Sequence, residues 1–238
     1  RLRGLAEVQH KWVYKRTNTP SPGLLTEEIR YQADGSIHSR NFFQCDSRGL
    51  ETNRLLYNHT GLLEFRQAQA WDSNRNPLER ILHRGTGTIQ EKLAWTYSNG
   101  LALTESWFNM EGELVRRTRW EYTNARAPGQ RTGEYLYKGN GELRERAEYR
   151  YDATGRLTEQ RSWDGASQFR SRMTNAYDAQ GRKAEETWFK NSETPGWKFS
   201  YARDAKGNPV ELRRMEYNPR FGEVSWDLSQ LVKISYNY

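Results

Sequence analysis

Residue types able to do chemistry are present, but they are not assembled into a recognised catalytic pattern. His10, His38, His59 and His83 stand singly, with no HExxH or HxH arrangement and no cysteine partner at metal-ligand spacing. They read as structural or surface residues, and no metal ligand is assigned. Cys45 is the one cysteine, which rules out an intrachain disulfide framework. With no matched His and Asn or Asp motif, it is not assigned as a catalytic thiol. Arg84-Gly85-Thr86-Gly87-Thr88 is glycine-rich but lacks the GKT or GKS ending of a phosphate loop, and no helical pattern follows it. It reads as a flexible hairpin loop. The adjacent carboxylates Glu27-Glu28 and Glu185-Glu186 would point to opposite faces of a strand, which argues against a glycosidase-like dyad at either place. They are expected to pair with arginines across strands, at about 0.2–1 kcal/mol per pair. Asn58-His59-Thr60 fits a glycosylation acceptor and also a turn before Gly61, and the turn reading suffices. No catalytic, cofactor-binding or metal-binding residue is assigned, no cofactor is expected, and the chain is read as not an enzyme.

The elements that must position these residues follow from an internal repeat. An aromatic residue, three variable residues, a glycine and an apolar residue two positions on recur from Tyr31 to Gly35, Tyr57 to Gly61, Phe108 to Gly112, Tyr137 to Gly141, Tyr151 to Gly155 and Tyr177 to Gly181. Weaker copies surround Gly100 and Gly207. At WDSNRNPLER the framing persists, with Asn76 in the place expected of the glycine, since Asn is the next-best residue for positive φ. Gly35 to Gly61, Gly155 to Gly181 and Gly181 to Gly207 are each 26 residues apart, whereas Gly100 to Gly112 and Gly141 to Gly155 are 12 and 14. A hairpin unit of 12–14 residues, sometimes doubled, accounts for both sets, with looser intervening turns where the spacing doubles.

The turn chemistry has a mechanical reason. Asp152 can accept backbone donors across the turn, and Gly155 can take the left-handed conformation that closes a bulged hairpin. Asp178 with Gly181 and Asp204 with Gly207 repeat the arrangement. A second aromatic follows each glycine at an offset of seven, eight or ten: Phe43, Trp71, Trp107, Trp120, Tyr149, Trp163, Phe189 and Tyr217. Even offsets place it on the face of the apolar residue at offset two, such as Leu114, Leu143 or Leu157. At Phe42-Phe43, Trp107-Phe108 and Trp188-Phe189 both faces receive a ring. The segment ELRERAEYRY has a helix-friendly composition, but Ala147, Tyr149 and Tyr151 alternate with Arg146, Glu148 and Arg150 at period two. The fold class expected is all-β, with repeated antiparallel hairpins forming a curved meander sheet or partial barrel.

The segment YDATGRLTE at 151–159 resembles the core consensus of YD repeats of the Rhs type, and YDAQGR at 177–182 and RDAKGN at 203–208 resemble diverged copies. Residues 130–217 resemble the family well and 29–122 in rhythm only. The resemblance implies a winding β-sheet that encloses or presents another domain. The domain reading is an N-terminal cap over 1–28, a hairpin array over 29–217 and a closing strand within 218–238, expected at Leu231 to Tyr238 after Pro219. The glycine-centred hairpins are also similar to MORN-like repeats, which implies an immunity or inhibitor-type partner as an alternative function.

Composition bounds the partners. Of 238 residues 13% are aromatic while 35% are hydrophobic in all, so the apolar surface comes largely as Tyr, Trp and Phe and a thin core is expected. The formal net charge is +7, with 17 basic against 13 acidic residues in 1–119 and 20 against 17 in 120–238. Neither half is a basic arm, and the interleaving in RERAEYR and ELRRMEY argues for salt-bridged strands over a nucleic-acid face. Arg outnumbers Lys 28 to 9, which favours planar stacking and bidentate carboxylate pairing. The opening RLRGLAEVQHKWVYK lacks the apolar stretch of a signal peptide, and no run approaches the roughly 20 apolar residues of a membrane span. Beginning on Arg1, the chain reads as a processed form or an excised segment. The function expected is a scaffold and binding module of a secreted, cell-surface or periplasmic bacterial protein. Its partner would be protein or glycan of the cell envelope, met through an aromatic and Arg surface with Trp71, Trp107, Trp120, Trp163 and Trp188 as candidate binding rings. Nucleic-acid binding and a carbohydrate-active enzyme on a curled sheet are the remaining alternatives.

Overall fold

A computed structural model describes residues 10–15, 24–123, 129–190, 193–219 and 225–235. The elements in chain order are β1 His10–Lys15, β2 Leu24–Tyr31, β3 Ile37–Cys45, β4 Glu51–Asn58, β5 Leu63–Trp71, β6 Pro77–Arg84, β7 Ile89–Ser98, β8 Leu101–Phe108 and β9 Leu114–Tyr122. They continue with β10 Arg131–Lys138, β11 Leu143–Tyr151, β12 Leu157–Asp164, β13 Phe169–Tyr177, β14 Lys183–Lys190, β15 Pro195–Arg203, β16 Pro209–Tyr217 and β17 Trp226–Lys233. There is no helix among the described residues. The chain divides into two compact units, Arg1–Arg117 and Thr118–Tyr238, with the division inside β9. In the first unit β1 pairs with β2, and β2 to β8 form a meander in which each strand is antiparallel to the next. In the second unit β10 to β17 do the same.

Period two decides these elements against composition. ELRERAEYRY contributes β11, where Ala147 faces Ser162 and Tyr149 faces Gln160 across the ladder. The core is correspondingly thin. Ile29 and Leu93 are the buried hydrophobic residues described in the first unit and Met173 in the second, and no large side chain is fully enclosed among the described residues. Polar groups share the interior: Glu28, Ser39 and Ser106 in the first unit, Glu159 and Asn175 in the second. Each must find partners to offset desolvation. Glu28 accepts from Arg30 Nε at 3.1 Å and Asn41 Nδ2 at 3.0 Å. Glu159 accepts from Arg172 Nε at 2.6 Å and Arg161 Nη2 at 3.1 Å.

Turns and bulges repeat together. The Asp152 amide donates to the Arg156 carbonyl at 2.9 Å and the Gly155 amide to the Asp152 carbonyl at 3.0 Å. Gly155 has φ of +86°, and the β11–β12 register shifts between Arg150 and Tyr151. This is a type I turn closed by a left-handed residue, and the bulge is its geometric consequence.

Three details differ from the sequence expectation. Two of the turns between the doubled glycines are not looser: Asp46 to Leu50 and Asp164 to Gln168 close with the same backbone bonds, with Gly49 and Ser167 at positive φ, and the third, between Gly181 and Gly207, lies partly outside the described residues. At WDSNRNPLER the left-handed residue is Arg75, at φ of 69°, and not Asn76. Asn76 sits one position on, where its side chain donates to Asp72 Oδ2 at 2.9 Å and its amide to Asp72 Oδ1 at 2.8 Å. The final strand is Trp226–Lys233, five residues before the expected Leu231 start. Tyr217 pairs with Trp226 there, their rings 5.6 Å apart, and Asn218 donates to Asp227 at 2.6 Å, which sets the earlier register. Tyr236, Asn237 and Tyr238 lie outside the described residues, as does most of the expected 1–28 cap.

Candidate functional site

Where the turn begins on Asp or Asn, that one side chain builds it. Asp152 Oδ1 accepts from the Thr154 amide at 2.9 Å, the Thr154 hydroxyl at 2.7 Å and the Arg156 amide at 3.0 Å, while Oδ2 accepts from Arg156 Nε at 2.7 Å. The Arg156 and Thr154 donors hold the Asp152 carboxyl well below the usual carboxylate range, because each bond favours the charged form. Asp178 is lowered by the amide and guanidinium of Arg182, and Asp164 chiefly by the Gln168 amide. Asn58 and Asn109 fill the same role without charge, accepting from the amides of Leu62 and Glu113. The Asn58 side chain is thereby committed to its turn. Gly35, Gly61, Gly112, Gly141, Gly181 and Gly207 all have φ between +79° and +91°. Gly100 differs, since it follows Asn99 in a two-residue turn in which both have positive φ. At Asp204 the Asn208 amide and side chain donate to the carboxylate.

In a meander alternate turns share an edge, and there they are tied to one another. Tyr151 Oη donates to the Arg131 carbonyl at 2.7 Å, Tyr177 Oη to the Leu157 carbonyl at 2.8 Å and Trp71 Nε1 to the Glu51 carbonyl at 2.8 Å, each reaching back 20 residues. Arg203 Nη2 occupies the corresponding place toward Lys183, at 3.5 Å. The Arg156 guanidinium lies 4.8 Å over the Tyr177 ring and against Gly181. In the first unit Arg48 Nη1 donates to the Asp72 carbonyl at 2.6 Å and Arg75 Nη2 to the Arg48 carbonyl at 2.8 Å. The aromatic, Asp, Gly and Arg positions therefore have one shared use: closing a turn and attaching it to the next turn on its edge.

The candidate binding rings are half-buried, as are the other described rings from Tyr31 to Trp226, so these residues form no exposed aromatic ladder. Exposed large apolar residues are aliphatic or Met instead, Leu62 on its turn and Leu228 and Leu231 on β17 among them. Trp107 lies under Arg116 at 5.3 Å, Trp120 under Arg131 at 5.0 Å and Trp163 under Arg146 at 4.6 Å. Trp188 stacks on Trp197 at 6.0 Å and donates to Glu186 at 2.6 Å. Cross-strand neighbours cover these rings, which a count of aromatics along the chain does not reveal.

The remaining sequence candidates are dispersed. Burial, then Glu51 and Asp46, push the half-buried Cys45 thiol up, away from a reactive thiolate. Burial raises the Glu186 carboxyl, but Lys183 and Trp188 more than offset it, leaving the group below its ordinary value. His83 lies 3.2 Å from the Gly87 carbonyl. Gly85 is not part of a flexible loop: its amide donates to the Glu64 carbonyl at 2.7 Å, and a Cβ there would overlap the Leu63 carbonyl oxygen. No group of three His, Cys, Asp or Glu able to hold a metal occurs among the described residues, and no described helix is long and apolar enough to cross a membrane. Sequence reasoning missed Asp46, Asp72 and Asp164. The available signal was an Asp three residues before Gly49, Arg75 and Ser167, as Asp152 stands before Gly155.

Fold and turn ladder together define an antiparallel hairpin-repeat protein. Residues 65–206, more than half of the chain, match a family described as "uncharacterised protein", and the chain belongs to that family. No curated protein matches the sequence. Among solved structures, a porin-like protein from Bacteroides uniformis is 10% identical, with 94% of each chain covered and a TM-score of 0.41. The TcdB2-TccC3-Cdc42 structure is 12% identical at a TM-score of 0.38, covering 94% of this chain and 15% of that one. A protein of unknown function from Bacteroides fragilis is 8% identical, covering 72% of this chain and 92% of that one, at a TM-score of 0.16.

Proposed function

We propose that this chain is a non-enzymatic β-repeat scaffold and binding module of a secreted or cell-surface bacterial protein, akin to the YD-repeat family it resembles, contacting protein or glycan of the cell envelope. The observation that carries the reading is the use made of the motif residues. Asp152, Gly155, Arg156 and Tyr177 are engaged in closing and joining turns, so the repeat builds a surface and leaves recognition to side chains between the turns. Arg stacked on half-buried rings supports the same reading, because rigid guanidinium and aromatic edges suit contact with polar partners at low ordering cost.

The test is saturable binding to arrayed envelope glycans and purified envelope proteins, alongside random-sequence DNA and RNA. Binding to a glycan or a protein, with weak nucleic-acid affinity, is the expected result. Binding to neither, or a log–log salt dependence for nucleic acid steeper than about −5, overturns the proposal.

A further inference from the structure

The first unit holds a concavity of about 510 Å³ on one face of β2 to β6, within the roughly 300–1,000 Å³ typical of ligand clefts. The register explains how its lining converges. Asn41 faces Leu56 and Leu56 faces Phe65, while Arg54 faces Gln67 and Gln67 faces Leu82, giving two adjacent rows on one side of the sheet. Arg30 enters from β2. Leu56, Phe65 and Leu82 supply an apolar floor, and the polar groups stand around it.

Those polar groups have capacity left over. Arg30 uses Nε on Glu28, Asn41 uses Nδ2 on the same carboxylate, and Arg54 uses Nε and Nη2 on Glu51. Among the described residues nothing takes the terminal nitrogens of Arg30, the Asn41 carbonyl or either end of the Gln67 amide. The site therefore offers donors and acceptors side by side over apolar carbon. Its charge is balanced: Arg30 is matched by Glu28 and Arg54 by Glu51, and the rim adds the exposed carboxylate of Glu64. A site with no surplus cation does not select an anion.

From this we infer that the cleft binds a short neutral oligosaccharide, an inference that rests on the binding-module reading above and gives it a site. Sugar hydroxyls donate and accept at adjacent positions, matching the alternation of guanidinium and amide. The C–H face of a pyranose suits the floor around Phe65.

The experiment is titration calorimetry of the full chain with hexaoses of glucose, mannose, galactose and N-acetylglucosamine, and with hexagalacturonate as the acidic counterpart. One neutral hexaose is expected to bind with an affinity unchanged between low and high salt. Gln67→Ala and, separately, Phe65→Leu should each weaken it about tenfold or more, with the Gln67→Ala melting temperature unchanged. Preference for hexagalacturonate, or neutral-sugar binding untouched by both variants, overturns the inference but leaves the binding module standing. Binding of envelope proteins alone does the same. Failure to bind any sugar or envelope protein removes both.

Discussion

Within each hairpin array the two edges solve the same problem differently. On the edge that carries the turns at Asp72, Asp152, Asp178 and Asp204, a long side chain reaches the backbone of the preceding turn's strand: Trp71, Tyr151, Tyr177 or Arg203. On the edge that carries Gly85 and Gly165 no such reach occurs among the described residues. Backbone meets backbone, and a Cβ on either glycine would overlap the carbonyl of Leu63 or Leu143. Three chemically unlike side chains serve one edge because the task needs only a donor at the right distance. At Gly85 and Gly165 the other edge admits glycine alone, because contact there leaves no volume for a carbon.

The comparison breaks most sharply at glycine. Gly85→Ala should cost about 3–5 kcal/mol, since the added methyl must displace a neighbouring strand's backbone. Chemical denaturation of the variant checks it, and a loss below about 1 kcal/mol would mean the edge is looser than it looks. Gly155→Val, at a turn of the other kind of edge, meets a different obstacle: a β-branched residue at its φ of +86° is strained by about 1–3 kcal/mol. An unchanged melting temperature would contradict the turn described here.

Removing a tie should cost less. Tyr177→Phe deletes the bond to the Leu157 carbonyl while keeping the ring beneath Arg156, with an expected loss of about 1 kcal/mol. Hydrogen exchange should then show opening at the Asp152 and Asp178 turns before the rest of the array. Uniform exchange would argue against an edge-specific tie.

The smallest effect is the pH dependence of single turns. Asp152, Asp164 and Asp178 are held below the ordinary carboxylate range by donors that exist only in the folded turn. A depressed folded value means that their contribution is present in full above the unfolded value of about 3.9 and is lost as pH falls below it toward the folded value. Melting temperatures measured from pH 7 to pH 2 should decline mainly below about pH 4. Asp152→Asn keeps the turn, as Asn58 and Asn109 do, and should flatten a small part of that decline. An Asp152→Asn variant that declines as steeply as the parent would place the acid sensitivity elsewhere, as at buried Glu159.

Much of this architecture was legible in the residues. Alternation at period two in ELRERAEYRY defines a strand, and a glycine or an Asx residue at 12–14-residue intervals defines where the chain must turn. Both are local: they depend on φ preferences and on side chains that reach two to four residues along the chain. The place of Arg75 was legible in the spacing, four residues after Trp71 and three after Asp72 as Gly155 follows Tyr151 and Asp152, whereas left-handed propensity alone pointed to Asn76, whose side chain is bonded to Asp72 instead.

What only the tertiary structure decided is which surface remains available. Trp107, Trp120 and Trp163 read as exposed rings until an arginine from a neighbouring strand is laid over each. Glu28 and Glu159 read as surface charges until they are buried among their donors. The cleft draws Asn41 from β3, Leu56 from β4 and both Phe65 and Gln67 from β5. Sequence alone determined the repeat, the turns and the strands, since these rest on neighbours along the chain. Cover and convergence rest on cross-strand register, which joins residues 6 to 19 positions apart and is settled only when the ladder forms.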